Sequence, residues 1–268
     1  MERTCRYVPL SKQPLVLVLC QVKFSPVRRM ADYIPAIQEE FRRHWYPLEK
    51  AGKIQQLTVT PTGLQTTEQE RWEYRTKDEQ WSILVMQDAV VLQTTAYRKF
   101  EDYAKQLELA VGTVLRITEH EELGLLQRIG LRYIDLIRPR EGEDFRYYLR
   151  PGLHGVQDDV FNPGTHRIHI ESAGSTKVGD EDGMMVVRIV QNSEGFDLPP
   201  DLLGGAPKFA ARAKAGELAT LVDMDHFLSG KFDPGVEWII ETAYRLHDHL
   251  VETFHEHVIT PEAVEVWK

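Results

Sequence analysis

The chain has 268 residues, 42% hydrophobic and 27% charged, the balance of a globular protein with enough length for one large domain or two modest ones. A formal charge of −9 disfavours nucleic acid as a partner. No apolar run nears the ~20 residues of a membrane span, the longest being residues 14–20.

That apolar run leads into Gln21-Val22-Lys23-Phe24 rather than a small-residue cleavage site, so no signal peptide is expected. Cys5 and Cys20 are the two cysteines. So few thiols suggest a reducing compartment, hence the cytoplasm, and Cys20 reads as a small buried side chain. No Cys/His spacing matches a structural zinc site, and no cofactor is expected.

In chain order, residues 15–24 read as a buried strand ended by Ser25-Pro26. Asp32 opens a helix whose inward face is Ile34, Ile37, Phe41 and Trp45, stopped by Pro47. Leu57, Val59 and Leu64 precede short strands at 72–75, 81–86 and 89–94, an antiparallel meander with polar turns. Tyr97-Arg98-Lys99-Phe100 enters a helix with the stripe Phe100, Tyr103, Leu107, Val111, Val114 and Leu115.

The second half repeats the outline. Residues 128–137 form a strand with Ile129, Leu131, Tyr133 and Asp135 on one side. A short helical piece lies near 145–149, followed by strands at 166–171 and 184–190 joined by a loop from Gly174 to Gly183. Residues 218–224 form another strand, and Pro234 begins the last helix. Its inward stripe is Val236, Ile239, Ile240, Ala243, Leu246, Leu250 and Phe254, and it ends at Ile259-Thr260-Pro261. The fold class is therefore α+β, as two similar strand–helix–antiparallel meander–helix modules from an internal duplication. The first module spans 1–122 and the second 123–268, packed together or apart. Long loops at 151–164 and 192–216 belong to the second and are candidate binding loops.

Several segments together resemble a sporadically distributed, uncharacterised family of prokaryotic proteins of about this length. They are Pro14-Leu15-Val16 leading to Val22-Lys23-Phe24-Ser25-Pro26, Trp72-x-Tyr74 with Trp81-x-Ile83, and Tyr97, Phe100 and Tyr103. Ile129-Gly130-Leu131-Arg132-Tyr133-Ile134-Asp135 is the most specific piece, similar to a Gly-Leu-Arg-Tyr-Ile-Asn-like strand, with Asp135 where the family pattern has Asn. Phe254 and Ile259-Thr260-Pro261 match as well, so the resemblance spans nearly the whole chain and implies a free-standing protein. It supplies no activity. A patchy distribution implies an accessory gene of mobile or defence-related loci.

His247, His249, His255 and His257 lie on the last helix, but residues two apart on a helix point about 200° apart, so they read as a polar face. His247-Asp248 alone resembles the paired ligands of HD-type phosphohydrolases, without the all-helical context those need. Asp223-Met224-Asp225-His226 reads as a strand end entering a helix, where two carboxylates at i and i+2 share a side and could hold Mg²⁺; the plain alternative is capping. Arg132 faces away from Leu131 and Tyr133, either to solvent or to a carboxylate, Asp135, Asp223 or Asp225; it is then a structural ion pair or an anion-binding group. Trp72, Tyr74, Trp81, Tyr97 and Tyr133 are stacking surfaces or core. The basic clusters at 28–29, 42–43 and 138–150 read as solvated faces. No phosphate-binding loop, dinucleotide fingerprint or nucleophile elbow is present.

The reading that follows is a non-enzymatic binding or regulatory protein acting on another protein or a small ligand, with Arg132, Asp135, Asp223, Asp225 and His226 as ligand-binding residues. The alternatives are a metal-dependent hydrolase or nuclease using Asp223, Asp225 and His226, and an immunity-type inhibitor of a basic toxin.

Overall fold

A computed structural model describes residues 7, 10–60, 63–155, 162, 169–179, 183–192, 199, 202 and 219–268, with the backbone alone of 54–60, 63–67, 169, 170 and 192. The loops at 151–164 and 192–216 and the start of the 166–171 strand lie largely outside these residues.

The first half supplies β1 (Leu15–Phe24), α1 (Met30–Arg43), β2 (Leu48–Thr60), β3 (Gly63–Arg75), β4 (Trp81–Met86), β5 (Ala89–Thr94) and α2 (Phe100–Ile117). After a short α3 (His120–Leu123) the second half supplies β6 (Leu126–Ile137), β7 (His169–Lys177), β8 (Met184–Asn192), β9 (Thr220–Phe232), α4 (Val236–Thr253) and α5 (Pro261–Trp267). A single π-helical turn, Phe254–Val258, joins the last two helices.

The nine strands make one antiparallel sheet in the order β2-β3-β4-β5-β1-β6-β9-β8-β7. β1 and β6 pair at its centre, so each half lies to one side of that seam. Val18, Cys20, Val22 and Phe24 of β1 and Leu131, Tyr133 and Ile137 of β6 face the helices and join the main core. α2 contributes Phe100, Tyr103, Leu107, Val111 and Val114, and α4 contributes Ile239, Ala243, Leu246 and Leu250. On the opposite face Leu17, Leu19, Leu84, Val91, Ile134 and Leu221 form a smaller apolar cluster. Among the described residues no helix is long and apolar enough to cross a membrane.

Four expectations change. β2 and β3 pair along thirteen residues each, yet only Arg71–Arg75 also pairs with β4, so the rest runs as a two-stranded ribbon. Gly174–Lys177 belongs to β7 rather than to a loop; the turn is shorter and closes at Gly183, whose φ of +85° and whose missing Cβ, 2.0 Å from the Phe227 carbonyl oxygen, both require glycine. β9 runs on to Phe232, past the 218–224 strand, because β8 stays paired with it to Phe227 and β6 to Phe232. Trp45 is 83% exposed rather than inward-facing. It follows the α1 C-cap His44 in the left-handed region (φ 79°), and Tyr46 takes the buried place, donating its hydroxyl to Gln106 Oε1 at 2.9 Å.

That position ordinarily goes to glycine, because a side chain in left-handed backbone carries a steric cost. Trp45→Gly should therefore leave the melting transition unchanged or raise stability by about 1 kcal/mol; a clear loss in urea unfolding would show that Trp45 makes a contact that outweighs its strain.

Candidate functional site

Period-two alternation along β6 sends its polar groups to opposite faces of the sheet. On the face away from the helices, Arg132 donates from Nε and Nη2 to the two carboxylate oxygens of Asp223, each at 2.7 Å. Arg188 adds a bond to Asp223 Oδ2 at 3.1 Å and lies 3.5 Å from Glu171. Arg128 bonds Asp225 Oδ2 at 3.0 Å and Gln21 Oε1 at 3.1 Å, and its guanidinium sits 4.3 Å from the Phe227 ring centre. Gly130 makes this possible, since a Cβ there would fall 2.6 Å from Arg128 Nη1. A cavity of about 340 Å³ is lined by Gln21, Arg128, Gly130, Arg132 and Asp225, with Arg71, Gln93 and Leu202 also on its wall. Burial raises the Asp225 carboxyl despite the opposing pull of Arg128 and Arg132.

The sequence-predicted set therefore divides. Asp223 and Asp225 share the open face with Arg132, whereas His226 is fully buried on the helix side, near the Leu246 carbonyl and against the His249 ring. Asp223-Met224-Asp225-His226 is not a strand end either, because β9 continues six residues beyond His226. The three residues cannot share one ligand, and among the described residues no three His, Cys, Asp or Glu side chains are grouped to hold a metal. Asp135 does not pair with Arg132, since an odd spacing on a strand places the two on opposite faces.

Asp135 instead belongs to a cavity of about 150 Å³ between the sheet and the helices. Tyr133 and Asp135 of β6, Leu15 of β1, Tyr97 to Glu101 at the entry to α2, His247 and Val251 of α4, and Phe254 and His255 of the π turn line it, with Tyr7, Leu10, Gln13 and Pro14 along another side. The Tyr133 hydroxyl and His247 Nδ1 share a hydrogen bond of 2.7 Å, and the His247 ring stacks on Phe100 at 4.1 Å. Burial lowers His247 to about 4, so the imidazole is neutral near pH 7. Tyr97 packs against the Tyr133 ring at 5.8 Å. Tyr7 stacks on His255 and donates to Glu256 at 2.9 Å.

Asp135 is 3% exposed, and among the described residues its carboxyl has no hydrogen-bond or ion-pair partner. Burial alone pushes it up to about 8. An apolar cavity with a few convergent polar groups and one strongly perturbed carboxyl has the character of a small-molecule site. The neutral acid can donate a hydrogen bond there, and the ionised form can receive a cation.

His247 is the lining residue that the polar-face reading misses. Its signal is its place four residues after Ala243 and seven before Phe254, which continues the buried stripe. Trp72 and Tyr74 are core, and Trp81 packs on Tyr103, so of the five aromatics only Tyr97 and Tyr133 face the cavity. Burial pushes the Cys20 thiol up to about 12, which makes it inert.

No protein-family model matches the chain, and no curated protein matches it in sequence.

Two outcomes follow from the two faces. Arg132→Leu strands Asp223, 3% exposed, with only the half-exposed Arg188, and should cost roughly 3 kcal/mol in urea unfolding. Arg132→Leu with Asp223→Leu should recover much of that loss, and a double variant as unstable as the sum of the singles would refute the pairing argument. On the helix side, the unfolded carboxyl ionises near pH 4 while the folded one holds its proton to about 8. Stability from this group is therefore full below about pH 4 and falls by up to about 1.4 kcal/mol per pH unit as pH rises towards 8. Asp135→Asn removes that slope, so its advantage over wild type should grow between pH 5 and 8. The groups facing this site are Tyr133, Tyr97, Arg98, Lys99, Glu101, His247, His255 and Tyr7; of these His247 and His255 ordinarily titrate near that window, burial moves both below their usual value, and both are common to wild type and variant. A pH-independent difference in melting temperature would contradict a buried, unpaired Asp135.

Proposed function

We propose that this chain is a non-enzymatic binding protein that takes a small ligand into the cleft between its sheet and helices. One observation carries the reading: a carboxyl that is 3% exposed and unpartnered among the described residues faces a cavity of benzene-accepting size. Holding such a group inside costs stability, and costs of this kind gather at functional sites. The ion pairs of the open face, by contrast, satisfy one another, which favours a structural role for Arg132, Asp223 and Asp225. The separation of His226 from the two aspartates argues against the metal-dependent hydrolase.

The strand order supports descent by duplication. Each half begins with a central strand, β1 or β6, and its last strand, β5 or β9, returns to lie beside it before a long helix, α2 or α4. The halves differ in that α1 and one extra strand belong to the first alone. The resemblance to the sporadic prokaryotic family, with an accessory role in the cytoplasm, is carried forward on the same footing. Its most specific strand is β6, which supplies the floor of the cavity, and Cys20 is a buried free thiol.

Titration with neutral and charged fragments of about six to nine non-hydrogen atoms, followed by NMR of the His247 and Tyr133 rings, tests the reading. Saturable shifts are expected, and Val251→Trp, which fills the cavity, should abolish them. Rings that no fragment perturbs in the wild type would overturn it.

A further inference from the structure

We infer that the ligand of this cavity is a small zwitterion, an ammonium group and a carboxylate on a short apolar body, as in an aliphatic amino acid. The inference rests on the binding reading above and names its ligand class.

The ammonium end is assigned by Asp135. It is the buried acidic group on the cavity wall, and the Tyr133, Tyr97 and Phe100 rings line the same cavity. Among the described residues no cation of the protein pairs with it. A cation on the ligand would complete the ion pair, and the aromatic faces nearby would favour it further.

The carboxylate end is assigned by the entry to α2. Lys99, Phe100 and Glu101, the N-cap and first residues of this 18-residue helix, line the same cavity, and no side chain caps the helix start. The orphan N–H groups and the positive end of the helix dipole there suit an anion. Arg98 and Lys99, both exposed, stand at this side; Lys99 shares its charge with Asp102 at 3.7 Å, and Glu101 is the opposing charge. Arg98 makes no ion pair among the described residues and is free to meet a carboxylate. A buried acid and exposed bases lining one apolar space form the charge pattern complementary to such a zwitterion.

Size sets the rest. About 150 Å³ takes a benzene-sized body, so about eight non-hydrogen atoms fit, and a peptide or nucleotide does not. Ammonium binding would ionise Asp135 and release its proton to solvent, so affinity should rise with pH up to about 8.

Calorimetric titration of the intact chain with L-valine, isobutylamine, isovalerate and isobutanol separates the possibilities. L-valine should bind at least tenfold more tightly than either half-ligand, with proton release near pH 7. Asp135→Asn, an isosteric change expected to fold at least as well as wild type, should lose at least tenfold for L-valine and isobutylamine while sparing isovalerate. Arg98→Ala with Lys99→Ala, at exposed positions, should weaken L-valine and isovalerate while sparing isobutylamine. Isobutanol binding as tightly as L-valine, or an Asp135→Asn variant that holds L-valine unchanged, would overturn the zwitterion and leave the binding reading standing. Silence from all four, together with silent rings in the fragment titration, would overturn both.

Discussion

The pairing of β1 with β6 is the constraint on which the rest of the structure depends. Antiparallel register from Leu15–Asp135 to Phe24–Leu126 joins the two halves into one sheet and leaves β6 buried on both faces. A strand in that position has no solvent side on which to place polar groups, so each must be satisfied within the protein or be costly. Arg128 and Arg132 are satisfied by carboxylates on the adjoining β9, each reached diagonally, since the register sets Ser229 opposite Arg128 and Asp225 opposite Arg132. Asp135 has no partner among the described residues, because alternation puts it on the helix side, on the wall of a largely apolar cavity.

The same alternation explains the composition of the Gly130-to-Asp135 strand. Gly130 leaves room for the Arg128 guanidinium to fold back towards Gln21 and Asp225. Leu131 fills the core between sheet and helices, while Ile134 anchors the smaller cluster beneath. Tyr133 reaches α4 and aligns His247, whose ring in turn lies flat on Phe100 at the start of α2. One strand therefore organises both faces and ties the two long helices to a common point.

Much of this was legible from residue periodicity. The α2 and α4 stripes appeared at helical spacing because those helices bury one face and wet the other, and β6 showed Leu131, Tyr133 and Asp135 together for the corresponding reason in a strand. Three carboxylates are open to Arg132 in the sequence; strand pairing, which local sequence does not encode, brings Asp225 opposite it and Asp223 diagonal to it, and with Arg128 on Asp225 the ion pair forms with Asp223. The β2–β3 ribbon went unseen because long polar strands lack the apolar alternation that betrays a half-buried one. Trp45 was misplaced because helical spacing continues on paper after the backbone has turned left-handed.

The cavity was harder to foresee because no local segment contains it. Gln13, Tyr97, Asp135, His247 and His255 come from five separate parts of the chain. What sequence did offer was an anomaly, a carboxylate on the apolar side of a strand that otherwise reads as core. Such a residue violates the consistency that folding favours, and violations of that kind mark sites where another demand prevails. The acidic junction at 223–226 looked more eventful because it gathered charge, yet gathered charge of both signs tends to neutralise itself once a sheet aligns it. An isolated acidic group on a largely apolar wall has no such remedy among the described residues, and that makes Asp135, rather than the richer cluster, the residue from which a ligand has most to gain.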